Sequence, residues 1–145
     1  MAMGPSFVSA DVLAGTAAPT LAPAIVKAMR RKEVGFQVLT GSAESLLPAF
    51  QAGANGAILA FGAPAPQACQ EIYIAWKDND LTVAQEKQRR VVDAARVVTG
   101  KYGIPGIKHA CDLNGYYGGV PRVPLLPLSG DQQSEVAAAM ADVHN

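Results

Sequence analysis

Residues 36–61 read FQVLTGSAESLLPAFQAGANGAILAF, and this stretch constrains the fold more than any other. Phe36-Gln37-Val38-Leu39 is a short run rich in β-favouring residues, closed by Thr40-Gly41. Ser42 stands where a helix N-cap belongs. Residues 45–51 carry an apolar face of Leu46, Leu47 and Phe50, and Gly53 suits the C′ position that ends the helix. Gly56-Ala57-Ile58-Leu59-Ala60-Phe61 is then a continuous apolar run, the pattern of a strand buried on both faces. Strand, helix, strand is a βαβ unit, and such units build parallel sheets.

The flanks are less uniform. Residues 7–14 read either as a strand leaving through Gly15-Thr16 or as a lead-in without fixed structure. Thr20 is a good N-cap for a helix over 21–33, with Pro23 tolerated in its first turn. Lys27, Arg30, Arg31 and Lys32 crowd toward the C-terminal end of that helix, where positive charge complements the dipole. The cluster is therefore a solvated helix end rather than a nucleic-acid patch. Downstream, a turn over 62–66 leads into a helix from Pro66 to about Trp76, with Ala68, Ile72, Ala75 and Trp76 on its period. Asp78-Asn79-Asp80 breaks it. A longer helix over 81–99 follows, with Ala84, Val91, Ala95 and Val98 on one face and the polar run 85–90 in the wet turns. Residues 100–106 contain a turn, 107–113 a short helix ended by Asn114-Gly115, and 116–128 a proline-rich irregular segment. Ser129 caps a last helix over 132–143.

Composition excludes several classes of function. Lys plus Arg equals Asp plus Glu at 12 each, so no global field steers nucleic acid or an anionic membrane. Half the chain is hydrophobic and 17% is charged, which a disordered chain does not show. No run of about eighteen apolar residues is present, so no membrane span is expected. The N-terminus has no basic region of the secretory type. Cys69 and Cys111 are isolated and lack metal-type spacing; two buried reduced thiols in a cytosolic protein is the simpler reading, a disulfide the other.

From residue 36 onward the order of elements and turns resembles the C-terminal part of the pyruvate-dependent class I aldolase family that contains dihydrodipicolinate synthase and N-acetylneuraminate lyase. Phe36-Gln37-Val38-Leu39-Thr40-Gly41-Ser42 resembles that family's seventh barrel strand and its exit. Gly53-Ala54-Asn55-Gly56-Ala57-Ile58 resembles the approach to the eighth strand. Gly103-Ile104-Pro105-Gly106-Ile107-Lys108 is similar to the family's NPIPVK turn. Tyr116-Tyr117-Gly118-Gly119-Val120-Pro121-Arg122-Val123-Pro124-Leu125 is similar to the segment before its last helix, in wording closest to 4-hydroxy-2-oxoglutarate aldolase.

The resemblance implies an α/β fold: a partial TIM barrel of the last two or three βα units over residues 1–78, followed by a C-terminal helical extension over 79–145. It implies Schiff-base chemistry, in which a lysine amine attacks the ketone of a 2-oxo acid such as pyruvate and the protonated imine acts as electron sink. It implies a substrate-binding rim of Gly41 and Ser42, whose N–H groups favour carboxylate at a helix start, and Ile58 in the pocket wall. No metal and no cofactor are expected. A full barrel needs about 250 residues, so the expected partner besides the 2-oxo acid is a second copy or a chain supplying the missing strands. The resemblance places the protein in the cytoplasm, or in mitochondria if its source is eukaryotic.

The same resemblance leaves a gap. The family's imine-forming lysine stands on the strand before the seventh, in a G-[IV]-K-[DE]-[ST] context. Counting back from Phe36 lands on Gly15-Thr16-Ala17, where Thr16 cannot form an imine. Lys27, Lys32, Lys77, Lys87, Lys101 and Lys108 fall on helices or in the extension, and barrel chemistry sits at the C-terminal ends of strands. No catalytic residue is therefore assigned. Tyr73, Tyr102, Tyr116 and Tyr117 read as packing or interface residues. His109, Cys111 and Asp112 do not converge on one point of a helix, His144 reads as solvated, and Arg122 reads as an anchor of the proline-rich segment. Two functions compete: the C-terminal part of a 2-oxo-acid aldolase or synthase, and an inert half-barrel serving assembly. A flavodoxin-like binding domain would need more strands after residue 62.

Overall fold

The computed structural model of the protein describes residues 7–9 and 37–143. Phe36, Thr16, the helix expected over 21–33 with its basic end, and His144 lie outside the described residues.

Three strands, β1 (Phe7–Ser9), β2 (Gln37–Thr40) and β3 (Gly56–Ala57), form one parallel sheet in that spatial order. Val8 pairs with Val38, Leu39 with Gly56 and Thr40 with Ala57. The βαβ unit is as expected, and of the two readings of residues 7–14 the strand holds for Phe7–Ser9. Between β2 and β3 lie a 3-10 turn, Ala43–Ser45, and α1 (Leu46–Gln51), whose Leu46, Leu47, Ala49 and Phe50 are buried. Gly53 follows the C-cap Ala52 with φ of 102°, and its N–H donates to the Phe50 carbonyl at 2.9 Å. That left-handed conformation at C′ is what a glycine allows. Ser42 does occupy the N-cap of the 3-10 turn, but its side chain makes no cap bond.

At β3 the structure departs from expectation. The strand has two residues rather than six, and Ile58 is 74% exposed rather than buried. The ladder is completed by Asn55, whose N–H donates to the Val38 carbonyl (2.8 Å) while its Oδ1 accepts from the Val38 N–H (3.2 Å). Beyond the Ile58 N–H to Thr40 carbonyl bond (2.9 Å), the chain turns on itself through Gly62 to Leu59 and Ala63 to Ala60. Apolarity marks a run as wanting cover; a strand also needs a partner for each backbone group, and here local turn bonds take them. Leu39 lies over Gly56, where an added Cβ would meet it at 3.2 Å, so Leu39 and Ile58 share one face of the sheet. That face is open: Leu39 is half-buried and Gln37 exposed, whereas Val38 and Thr40 on the other face are buried.

The rest is helical. α2 (Pro66–Lys77) begins with proline at its first position, and α3 (Leu81–Ala95) is capped by Asp80, whose Oδ1 accepts from the Val83 N–H at 3.1 Å. α3 continues as a π-helical segment, Arg96–Lys101, so Ala84, Val91, Ala95 and Val98 form one buried stripe. The turn expected within 100–106 and the helix expected at 107 are corrected. α4 runs Gly103–Leu113, with Pro105 in its first turn, where a missing N–H leaves no bond unmade. Gly106 permits the close approach of α4 to the π-helical segment, since a Cβ there would lie 2.4 Å from the Val98 carbonyl. Residues 116–128 are irregular as expected. A capping box of Ser129 and Gln132 opens α5 (Gly130–Met140), which starts two residues earlier and ends three earlier than expected. Phe50, Tyr73 and Trp76 form an aromatic cluster between α1 and α2, with Phe50 and Trp76 stacked at 5.2 Å.

Candidate functional site

In parallel α/β sheets ligands meet the chain where it leaves the carboxyl ends of the strands. Here those ends are Thr40-Gly41-Ser42 after β2 and Ile58 after β3, joined by the bond from the Ile58 N–H to the Thr40 carbonyl. The three sequence-expected rim residues are therefore brought together. Ile58 is open to solvent, and Gly41 and Ser42 are half-buried. Thr40 is buried, and its Oγ1 accepts from the Ser42 N–H at 3.4 Å. That bond is long enough for a carboxylate to compete for the amide.

Two helical side chains reach the exits of these strands, and the sequence reading missed both. Asn114, at the end of α4, donates from Nδ2 to the Pro64 carbonyl at 2.7 Å, tying down the turn after β3. Gln88, placed by the sequence reading in the wet turns of α3, is only 8% exposed and bonds the turn after β2. A signal for Gln88 was present: 84, 88, 91, 95 and 98 alternate in steps of four and three, so Gln88 fills the vacant slot of the buried stripe.

The described lysines have partners of their own on the helices and in the extension. Lys87 pairs with Glu71 at 2.7 Å, Lys101 bonds Glu135 at 2.6 Å, Lys108 donates to the Gly118 carbonyl at 2.6 Å, and Lys77 lies 5.9 Å from the Tyr73 ring. The hydrogen bond from Lys87 holds the Glu71 carboxyl below its ordinary value. Lys27 and Lys32 lie outside the described residues. Of the strand beside β2 the structure describes Phe7-Val8-Ser9, which contains no lysine, and Thr16 with its neighbours lies outside the described residues.

Several of the remaining candidates have structural occupations. Tyr73 belongs to the aromatic cluster, and Tyr102 donates to Glu135 at 2.5 Å, a bond that raises its hydroxyl pKa. Tyr116 and Tyr117 are exposed. Asp112 accepts from the Gly118 N–H at 2.7 Å, so with Lys108 it grips both polar groups of that glycine. Arg122 is exposed, and its guanidinium has no partner among the described residues, so it does not anchor its segment by bidentate bonds. Burial pushes the Cys69 thiol up to about 11, and Cys111 also titrates above its ordinary value, chiefly through burial. Both are free and buried, and neither is a thiolate nucleophile at neutral pH. Cys69 contributes to a cleft of about 460 Å³ between α1, β3 and α2, with Phe50, Asn55, Leu59 and Tyr73 in its walls. Among the described residues no group of three or more His, Cys, Asp or Glu side chains is placed to hold a metal, and no helix is long and apolar enough to cross a membrane.

Comparison with known proteins gives a consistent picture. A profile described as the Dihydrodipicolinate synthetase family matches residues 11–143. An L-threo-3-deoxy-hexylosonate aldolase from Aspergillus niger is 40% identical over 92 residues, covering 63% of this chain and 27% of that protein. A 4-hydroxy-tetrahydrodipicolinate synthase from Methanothrix thermoacetophila is 30% identical over 111 residues, covering 74% and 38%. The structure of a prophage protein of the dihydrodipicolinic acid synthase family from E. coli K12, in complex with pyruvate, superposes with a TM-score of 0.76 at 20% identity, covering 96% of this chain and 45% of that one. The likeness shows the fold, a small parallel sheet with helices corresponding to part of a TIM barrel. The chain spans 27% and 38% of the length of these two curated relatives.

Proposed function

This chain belongs to the dihydrodipicolinate synthetase family, and from that premise we propose that it forms the C-terminal portion of a Schiff-base-forming carbon–carbon lyase or synthase acting on pyruvate or a related 2-oxo acid. Residues 1–78 supply the final βα units of the barrel and 79–145 the helical extension. Gly41 and Ser42 offer the carboxylate its N–H donors, and Ile58 packs on the substrate's carbon chain. The observation that carries this reading is the convergence of these three residues at the C-terminal ends of two adjacent parallel strands. The relatives' names suggest a 3-deoxy-hexylosonate as the compound cleaved or a 4-hydroxy-tetrahydrodipicolinate as the compound formed, and the pyruvate complex of the prophage protein suggests pyruvate as the 2-oxo acid.

The covalent step belongs to βα units other than those of this chain. A lysine amine there adds to the ketone carbon, and water leaves as the imine forms. The protonated imine then accepts the electron pair of the breaking carbon–carbon bond. The open face carrying Leu39 and Ile58 suits a partner chain that supplies the remaining strands. The test is borohydride trapping with pyruvate, read by mass. This chain alone should remain unmodified. Mixed with separately produced N-terminal βα units, it should support a reduced adduct on the partner's lysine. An adduct on a lysine of this chain, or no adduct in the mixture, would overturn the assignment.

A further inference from the structure

We infer that Gln88 is a positioning residue for the 2-oxo-acid rim: from α3 it holds open the turn that carries Gly41 and Ser42. The inference rests on the proposed substrate site and adds to it a residue that lies 41 and 45 positions along the chain from the two backbone groups it bonds, those of Leu47 and Ala43.

Gln88 and Thr40 are the buried polar side chains among the described residues. The Gln88 Oε1 accepts from the Leu47 N–H at 2.7 Å, and its Nε2 donates to the Ala43 carbonyl at 2.8 Å. Those two backbone groups are four residues apart, the pair that an unbroken α-helix would bond to each other. The amide of Gln88 is inserted between them and satisfies both. Ser42 and Ser45, the residues placed to cap the 3-10 turn and α1, make no side-chain cap bonds, so Gln88 serves as a cap supplied from another helix. The start of the helix consequently stays a 3-10 turn, with Ser45 at φ −115° and ψ 20° and Ser42 extended at φ −108° and ψ 124°. Two turns further along, Arg96 holds Glu44 of the same turn at 3.1 Å. With the amide gone, the Ala43 carbonyl and the Leu47 N–H are free to bond directly. The helix would then grow back toward β2 and swing the Gly41 and Ser42 amides away from their present direction.

The experiment compares the full isotope-labelled chain with its Gln88→Met variant, which keeps the side chain's length and loses the amide. Two quantities are read by NMR: the backbone carbon shifts of residues 42–45, and the pyruvate-induced shifts of the Gly41, Ser42 and Ile58 amides. In Q88M the carbon shifts should move toward helical values, and the pyruvate Kd should rise at least fivefold while unfolding remains one cooperative transition. Unchanged carbon shifts, or an unchanged Kd beside a wild type that binds, would overturn the inference. If the wild type shows no pyruvate shifts, the substrate assignment fails separately, and the carbon shifts alone decide whether Gln88 sets the turn. Should Q88M not fold, Q88E provides the same readouts, since it keeps the acceptor for Leu47 and loses the donor to Ala43.

Discussion

Phe61 and Ile58 are three residues apart and meet opposite environments. Phe61 is 1% exposed and packed with the helices, as are Ile72, Val91, Val98, Val136 and Met140. Ile58 is 74% exposed, Gln37 stands in solvent, and Leu39 beside them is half covered. The helical region closes on itself because each amphipathic stripe finds another helix within the chain. The sheet has one covered face and one open face, and a parallel sheet normally covers both. The helical region thus buries a core of its own, while the strand ends, where the substrate rim is proposed, leave one face of the sheet uncovered.

The largest test of that contrast is Phe61→Ala. Truncating a buried aromatic should cost about 3–5 kcal/mol in denaturant unfolding. A loss under about 1 kcal/mol would mean that the helical region is not the stable part. Gly106→Val should cost about 3 kcal/mol by overpacking, because a Cβ there meets the Val98 carbonyl at 2.4 Å and the Tyr102 Cβ at 2.7 Å, leaving α4 no room to yield. A wild-type midpoint in this variant would break the claim that α4 and the π-helical segment are rigidly joined.

A smaller effect comes from pH. The carboxyl of Glu71 is held below its ordinary value of 4.5, first by its hydrogen bond from Lys87. A depressed carboxylate stabilises the fold above its unfolded pKa, and that contribution drains away as pH falls through the folded value. With both side chains partly solvated, Lys87→Gln should cost about 0.5 kcal/mol at neutral pH and nothing once pH lies well below the ordinary glutamate range. A pH-independent difference would assign Lys87 a packing role instead. The smallest effect is expected at the other pole of the comparison: Ile58→Ala should change stability by less than about 0.5 kcal/mol in the isolated chain. A loss above about 1.5 kcal/mol would reveal that this face is covered in solution, and a concentration-dependent midpoint would name a second copy as the cover.

Much of the fold was legible because its signals are local. The alternation from β2 through α1 to β3, the left-handed Gly53, the Asp78-Asn79-Asp80 break and the Ser129 cap each depend on residues within about one turn of one another. Misreadings arose where a local signal has two outcomes. Gly103-Ile104-Pro105-Gly106 looks like a turn, yet proline is tolerated in a first helical turn and glycine permits close packing. The run 56–61 looks like a long buried strand, but apolarity does not say whether a partner strand is there to bond. At the proposed site, the resemblance names Gly41, Ser42 and Ile58, and the structure sets them at the ends of two adjacent strands. Gln88 was passed over because its polarity outweighed its position on the buried stripe.

The sequence by itself determined the order of the described elements, the helix end at Gly53, the cap at Ser129, the apolar members of the buried stripe of α3 and the absence of any lysine before Lys27. It also carried the likeness to one enzyme family. Only the tertiary structure decided that the sheet keeps one open face, that α4 seats against a backbone carbonyl through Gly106, and that Gln88 occupies a broken helical bond in α1. The physical reason is range. Propensities and caps are settled between near neighbours in the chain, whereas strand pairing, close approach and a cap from another helix depend on groups from 8 to 45 residues apart that only the assembled fold brings into contact.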